Sequence, residues 1–298
     1  MIKNPIPWPN DAKCAACVTF DMDADSLIHI AHPNDGHRRL SGISMLQYGP
    51  KVAIARIVET YRKLGIRQTF YIPAWCIENY PEAIEIILEG GHEIAHHGYL
   101  HEHPNELPPE EEAYWLDRGI AVIEKATGQR PRGWRAPLYN ISDVSPALLV
   151  DRGFQYDASL MGDDIPYILK TDNGSLVELP THWGLDDWPQ YVQSADLDYM
   201  MPIRAPRTGF DAFRQEYQVI KKYGGLWVPV VHPFATGRLA RWEVFAEFLE
   251  QEVTAGETWF APMEEIAAYV RSVKKSGEVH LRTESVPAYT GPIDVVKG

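Results

Sequence analysis

Five of the 11 histidines of this chain lie within residues 90–103. Histidine is the commonest metal ligand in proteins, and its side chain titrates nearest to neutral pH. Two pairs in this cluster are four residues apart, His92 with His96 and His97 with His101. The cluster therefore predicts a metal site, and the pair that binds the metal decides what the site can do.

The first pair belongs to a His-Glu-x-x-His pattern, which is typical of zinc metalloproteases. The pattern needs a helix, on which both histidines reach one zinc ion and the glutamate serves as general base. A helix predicted over Pro81–Glu89 ends at the glycine pair that follows it, and no capping residue starts another. On a strand, His92 and His96 would lie about 13 Å apart. The metalloprotease interpretation is disfavoured, and it stays as an alternative that would depend on Glu93.

Two aspartates follow an apolar run near the N-terminus. Residues 14–20 are small or apolar and are predicted to form a buried strand that ends in Asp21-Met22-Asp23. Residues i and i+2 of a strand face the same side, so Asp21 and Asp23 can point into one site. Two carboxylates held close together raise one pKa or need a cation between them. A solvated acidic turn is the alternative, and the preceding strand and the histidine cluster favour the site.

Two further segments end in side chains that can take part in catalysis. Arg135 follows the short apolar run at 133–134, and an arginine there can hold a carboxylate. His232 follows the apolar run 226–231. A surface cation and a hydrogen-bonded core histidine are the ordinary alternatives for these two residues. Their position at predicted strand ends, like that of the aspartates, favours a functional role.

In this order, the motifs resemble those of the polysaccharide deacetylase family, which is carbohydrate esterase family four with the nodulation-deacetylase homology domain. The five matching segments are residues 19–23, 91–101, 135–137, 156–159 and 231–232. Each motif is short and unspecific by itself, but their order along residues 20–235 is specific. The resemblance implies one divalent metal ion, bound by Asp23, His97 and His101. It also implies that Asp21 is the general base, that Arg135 positions it, and that His232 is the general acid.

Three protein ligands leave positions open on a metal ion, as a catalytic site requires. Zinc is the default ion for two histidines and a carboxylate, and cobalt, nickel or manganese fit the same ligands. Four residues depart from the family pattern: Met22, Gly98, Leu138 and Pro229. The departures leave the metal chemistry in place and put the polysaccharide substrate in doubt. They resemble a branch that includes allantoinase-like and cyclic-imide-hydrolase-like enzymes.

We therefore predict a metal-dependent hydrolase of non-peptide carbon–nitrogen bonds, with a small cyclic imide or related amide as the favoured substrate. Side chains expected to contact this substrate are Tyr139, Trp183, Trp188 and Asp164. N-deacetylation of an N-acetylated sugar or glycan is the alternative. A binding module that keeps the fold and has lost catalysis is an alternative from another class.

Alternating strand and helix patterns predict an α/β fold with a parallel sheet closed as a barrel. The resemblance implies a distorted (β/α) barrel with about seven strands. Strands are expected at residues 15–21, 68–73, 93–97, 133–137, 154–159, 176–179, 227–231 and 259–262. Helices are expected at residues 50–64, 81–89, 109–126, 144–151, 210–223, 240–254 and 264–274. Residues 27–49 are expected to form a loop over the mouth of the barrel, where the catalytic strand ends meet.

Composition supports a single catalytic domain over residues 1–298 with extended N- and C-terminal arms, the latter after residue 275. A net charge of −13 disfavours nucleic acid and anionic membranes as partners. The absence of a signal-like or membrane-length apolar run predicts a cytoplasmic protein. Three cysteines fit a reducing compartment, and Cys14 and Cys17 are predicted to be core residues on opposite faces of one strand. Homo-oligomerisation stays open.

Overall fold

The computed structural model describes residues 2–277, 279–289 and 291. Its strands are β1 (Cys14–Ala16), β2 (Thr19–Asp21), β3 (Thr69–Ile72), β4 (Glu93–His96), β5 (Gly133–Trp134), β6 (Tyr156–Asp157), β7 (Tyr167–Thr171), β8 (Gly174–Glu178), β9 (Leu226–Trp227), β10 (Val230–Val231), β11 (Thr258–Phe260) and β12 (Thr283–Ser285). Its α-helices are α1 (Ser26–Ala31), α2 (Leu40–Tyr48), α3 (Ile54–Leu64), α4 (Ala74–Asn79), α5 (Pro81–Glu89), α6 (Pro109–Thr127), α7 (Ser145–Asp151), α8 (Trp188–Tyr191), α9 (Pro206–Tyr223), α10 (Leu239–Ala255) and α11 (Met263–Ser276).

Seven strands form a parallel row in the order β10-β2-β3-β4-β5-β6-β8. After β8 the chain returns to β10, the strand at the other end of this order. There, the backbone N–H of Asp187 donates to the carbonyl of Val230 at 3.0 Å. β7 pairs antiparallel with β8, and β12 adds to β7. β1 and β9 precede β2 and β10, and β11 pairs with β1. The predicted α/β fold with a parallel sheet is confirmed.

Strands β1 to β6, β9 and β10 are buried throughout because helices cover both faces of the sheet, and this accounts for their mostly apolar sequences. Cys14 packs in the apolar cluster that contains Phe20 and Trp227. Cys17 packs in a different cluster, with Tyr71 and Ala95. Both thiols are free and buried, so the prediction of two core cysteines on opposite faces is confirmed.

The prediction that residues 27–49 form a loop was wrong, because this stretch contains most of α1 and the whole of α2. These short helices carry no regular apolar stripe, and they are held by contacts with the segment around residue 196. The sequence prediction also missed α4, β7 and β12. The Asp172-Asn173-Gly174 turn between β7 and β8 is a hairpin signal that could have identified β7.

The tail predicted as an extended arm after residue 275 is described only in part. α11 ends at Ser276, and β12 pairs with β7. Residues 278, 290 and 292–298 lie outside the described residues. In the described part of the chain, no helix combines the length and the apolar character needed to cross a membrane.

Candidate metal centre and active site

Asp23, His97 and His101 meet where β2 and β4 end. One ligand atom from each lies within 4.8 Å of the others, and all three side chains are buried. His97 Nε2 is 3.4 Å from Asp23 Oδ1, and His101 Nε2 is 3.8 Å from Asp23 Oδ2. The structure thus brings together the second pair of histidines, four residues apart, with the second aspartate of the N-terminal pair.

The protonation of this cluster suits a divalent ion. The Nδ1–H of His97 donates to the carbonyl of Arg135 at 2.8 Å, which leaves the Nε2 lone pair facing Asp23. Burial lowers the pKa of His97 to about 3 and that of His101 well below its usual value, so both rings are neutral. Burial, with Asp21 nearby, raises the pKa of Asp23 to about 7. Asp23 Oδ1 has no hydrogen-bond partner, so the donor set fits a metal ion that would compensate the carboxylate.

The turn that presents His101 explains one departure from the family pattern. Gly98 has φ +74°, and a Cβ there would lie 2.9 Å from Glu102 Oε1. The Glu102 carboxylate accepts hydrogen bonds from the backbone N–H groups of Tyr99 and Leu100, both at 2.8 Å. A serine or threonine at position 98 would clash with this arrangement, so the turn requires glycine. His101 itself has φ +78°, a left-handed conformation that non-glycine residues seldom adopt.

The metalloprotease alternative fails because residues 93–96 form strand β4. His96 points away from the metal cluster, and its Nε2–H donates to the carbonyl of Leu116 at 3.2 Å. His92 Nδ1 accepts from the backbone N–H of Gln68 at 3.1 Å. Glu93 accepts a hydrogen bond from Tyr156 OH at 2.8 Å, and burial raises its pKa to about 7. None of these three groups can share an ion in this arrangement.

Asp21 lies beside the metal cluster and is held by Arg135. Arg135 Nη1 donates to Asp21 Oδ1 at 2.6 Å, through one N–H rather than a bidentate fork, and to Thr19 Oγ1 at 2.9 Å. The guanidinium is wholly buried and lies 4.0 Å from the centre of the Tyr71 ring. Asp21 Oδ2 is left facing His97 Nε2 at 3.7 Å. Met22, between the two aspartates, packs into the core, so both carboxylates face one site.

His232 lies on the other side of Asp23, with its Nε2 3.5 Å from Asp23 Oδ2. Its Nδ1–H donates to Asp187 Oδ1 at 2.6 Å, and its backbone N–H donates to Asp187 Oδ2 at 3.0 Å. Thr236 donates to the same carboxylate. Burial opposes protonation of His232, but the charge and hydrogen bond of Asp187 outweigh it and raise the pKa to about 10.

Asp187 was not assigned a role from the sequence. It lies within an irregular segment, where no periodic pattern indicates its direction, and only the return of the chain to β10 brings it to His232. Asp186, Asp187 and His232 also form a group with metal-ligand geometry. Because protein donors already occupy both oxygens of Asp187, this group holds the imidazole of His232 rather than a second ion.

A pair of buried carboxyl groups supports the segment that carries Arg135. Asp157 and Glu178 lie opposite each other in β6 and β8, and both are wholly buried. Asp157 Oδ2 and Glu178 Oε2 are buried without a hydrogen-bond partner, and one proton shared between the two groups would satisfy both. Ser159 Oγ donates to Asp157 Oδ1 at 2.6 Å and accepts from the backbone N–H of Ala136 at 2.8 Å. Burial raises the pKa of both carboxyls, and the Asp157 charge raises that of Glu178 further.

We expect Glu178→Gln to flatten the pH dependence of stability. A pKa raised by folding stabilises the protein fully below the unfolded pKa of ~4.5, and this contribution is lost as the pH rises towards the folded pKa. Glutamine keeps a neutral donor to Asp157 and removes the titration. The free energy of unfolding of the variant, relative to wild type, should rise by up to about 1.4 kcal/mol per pH unit above pH ~5. Denaturant unfolding of both proteins in chelator at several pH values measures this, and parallel profiles would contradict a shared proton.

The side chains of Asp21, Asp23, His97, His101 and His232 form the floor of a cavity of about 1010 Å³. Three of the side chains predicted to contact substrate, Tyr139, Trp183 and Trp188, line it. The prediction for Asp164 was wrong. Its carbonyl accepts from the N–H of Leu226 at the start of β9, which lies at the opposite end of the barrel from His232.

The upper wall of the cavity comes from α1, within the stretch expected to lie over the mouth, and from residues 195–199, which the sequence prediction did not assign to it. α1 contributes Leu27, Ile30 and Ala31, and residues 195–199 contribute a second side of the wall. Tyr139 OH donates to Asp186 Oδ2 at 2.5 Å, which fixes the aromatic ring beside Trp183. The cavity thus has largely apolar walls, with Asp21, Asp23, His97, His101 and His232 at its floor.

A family model described as polysaccharide deacetylase matches residues 44–156. The solved structure of a Mycobacterium smegmatis protein assigned to the polysaccharide deacetylases is 36% identical to this chain, with a TM-score of 0.89. The match covers 97% of this chain and 99% of that chain. The peptidoglycan deacetylase of Helicobacter pylori is 29% identical over 196 residues, which span 58% of this chain and 67% of that protein.

The solved structure of the Puue allantoinase matches with a TM-score of 0.78 over 91% of this chain and 95% of that chain. Its sequence identity is 21%, so this likeness concerns the fold alone. The Mycobacterium smegmatis match, in contrast, combines substantial identity with nearly complete coverage of both chains. Four of the five motif segments also contribute residues to the lining of one cavity. This chain therefore belongs to the polysaccharide deacetylase family.

Proposed function

We propose that this protein is a divalent-metal-dependent hydrolase of non-peptide amide bonds, with a small cyclic imide or related amide as the favoured substrate. One observation carries the proposal. A three-ligand cluster with neutral histidines adjoins both an arginine-held aspartate and an aspartate-held histidine, at the floor of one cavity. A base and an acid on two sides of a metal site are the groups that amide hydrolysis needs.

Asp23, His97 and His101 would hold the ion, with zinc as the first choice for these donors. When bound, a divalent ion polarises a carbonyl group and lowers the pKa of water. Asp21, held in place by the Arg135 guanidinium, would accept the proton of the attacking water. His232, whose pKa of about 10 keeps it protonated at neutral pH, donates a proton to the leaving nitrogen. The last step is required because an amine anion is a poor leaving group.

The proposed substrate class rests on the shape of the cavity. Helix α1 and residues 195–199 add walls to it, whereas an extended polymer needs an open groove. Trp183 and Tyr139 form one aromatic wall, and Trp188 packs against His232. A flat five- or six-membered imide ring can lie between such walls. Its carbonyl would point towards the ligand cluster and its nitrogen towards His232.

Deacetylation of an N-acetylated sugar is the second candidate, and it is favoured by the Helicobacter pylori relative, a peptidoglycan deacetylase. The reaction uses the same groups, because both substrates lose a C–N bond next to a carbonyl. A catalytically silent binding module is the third candidate. The three candidate functions differ in which substrate, if any, the metal-loaded protein hydrolyses.

We expect metal-loaded protein to hydrolyse succinimide and maleimide with higher kcat/KM than N-acetylglucosamine oligomers. The physical reason is the wall that α1 and residues 195–199 add to the cavity, which suits a small ring better than a chain of sugars. Measurement of kcat/KM for the three substrates, with metal content determined on the same samples, tests this. A clear preference for the oligomers would refute the small-substrate proposal and leave a deacetylase. Full metal content with no turnover of any substrate would indicate the binding module.

A further inference from the structure

The mouth of the cavity is acidic and lacks a compensating cation. Among the described residues that line the cavity, none is a lysine or an arginine. Besides Asp21, Asp23 and Asp186, four acids line the cavity: Glu102, Glu106, Asp196 and Asp198. Arg39, which borders this rim, is occupied, because its Nη1 binds Asp196 at 2.7 Å and its Nη2 binds Asp35 at 3.0 Å.

Two of the four acids, Glu106 and Asp198, have no lysine or arginine partner among the described residues. Glu102 is satisfied by backbone N–H groups, and Asp196 is paired with Arg39. The Glu106 side chain is 69% exposed and has only His103 within 3.5 Å. Asp198 is exposed, and its carboxylate accepts no hydrogen bond from a described residue. An anion entering the cavity therefore passes Glu106 and Asp198 without meeting a side chain that carries a permanent positive charge.

The apolar walls of the cavity strengthen the electrostatic repulsion of an anion by the rim acids. Behind the rim, the lining is apolar, with Leu27, Ile30, Leu107 and Leu197 among its members. Charges at the mouth of a cleft with low-dielectric walls produce a focused field, and the whole chain adds a net charge of −13. A bound divalent ion offsets Asp21 and Asp23 at the floor, and the rim acids keep their charge.

We infer that the cavity admits uncharged or cationic amides with an apolar body and repels amides that carry a carboxylate, with Glu106 and Asp198 as specificity-determining residues. The inference rests on the proposed function of the same site. It has a consequence for turnover. Hydrolysis of a cyclic imide breaks one ring C–N bond, forms a C–O bond with water, and moves a proton to nitrogen. The product is a half-amide whose new carboxylic acid ionises at neutral pH, so an uncharged substrate enters and an anionic product is repelled.

The first test compares succinamide with succinamate, which have the same size and differ by one charge. Competition calorimetry with metal-loaded protein gives the two affinities without any need for turnover. We expect succinamide to bind about tenfold more tightly than succinamate at low salt, and the ratio to shrink above 0.1 M salt, where the Debye length falls below about 10 Å. Equal affinities, or tighter binding of succinamate, would overturn the inference.

The second test asks whether Glu106 and Asp198 cause the preference for succinamide over succinamate. Asp198→Asn and Glu106→Gln should each reduce the preference for succinamide by about threefold, since each removes one charge from the rim. Glu85→Gln is the matched control, because Glu85 is an exposed acid on α5 outside the cavity lining, and it should leave the ratio unchanged. An unchanged ratio in both rim variants would also overturn the inference. A retained preference in a protein that hydrolyses no imide would uphold the charge selection and refute the proposed function.

Discussion

His97→Ala and His101→Ala should each abolish metal binding and turnover, whereas His92→Ala should keep its metal. His97 and His101 are neutral, buried and directed at Asp23, so removal of either leaves two ligands. Loss of a group that merely supports a ligand typically costs 10- to 100-fold in metal affinity, so loss of a ligand should cost more than about 100-fold. Metal analysis of the purified variants, with activity measured before and after chelation and zinc readdition, provides the measurement.

His92→Ala is the matched control because His92 belongs to the same cluster in sequence and lies apart from the ion site in space. Its Nδ1 accepts from Gln68 N–H, and its ring packs against Tyr61 and Phe70. The substitution should therefore lower stability without removing the ion, and circular dichroism distinguishes the two effects. Loss of metal in His92→Ala together with its retention in His101→Ala would revive the metalloprotease interpretation.

The sequence was sufficient to place those site residues whose positions follow from local rules of strand and helix geometry. Strand alternation predicted that Asp21 and Asp23 share a face, and the glycine pair after α5 predicted that residues 93–96 are not helical. Parallel strands place their C-terminal ends at one edge, and this rule predicted that Arg135 and His232 would join the aspartates. These features depend on a few neighbouring residues and on one property of the fold.

The features that could not be predicted depend on the path of irregular segments through the fold. Asp187 reaches His232 only because the chain after β8 returns to β10. Asp164, in contrast, precedes β7 and lies at the far end of the barrel, although the sequence places it near other pocket candidates. α1 and α2 form because Arg39 and His32 hold them against residue 196. No periodic pattern encodes such long-range contacts, so the position of residues 27–49 over the mouth could be predicted but their helices and their contacts with residue 196 could not.

Asp21→Asn should keep the metal and lose about 10²- to 10⁴-fold in turnover, the usual contribution of a general base. Asp23→Asn should lose the metal. The two carboxylates differ in their partners. Asp21 Oδ1 is taken by the Arg135 guanidinium at 2.6 Å, whereas Asp23 Oδ1 has no protein partner and lies 3.4 Å from His97 Nε2. Metal content and kcat of both variants measure the difference.

Asp25→Asn provides a matched control within the same run of acids. Asp25 is also buried, but its carboxylate accepts hydrogen bonds from Gln47 and Tyr80 and does not line the cavity. This variant should keep the ion and most of its turnover. If Asp21→Asn and Asp23→Asn lose metal equally, both aspartates are ligands, and Arg135 then orients a ligand rather than a base. In that case the water proton must pass to another group, and Asp21 can no longer be the general base.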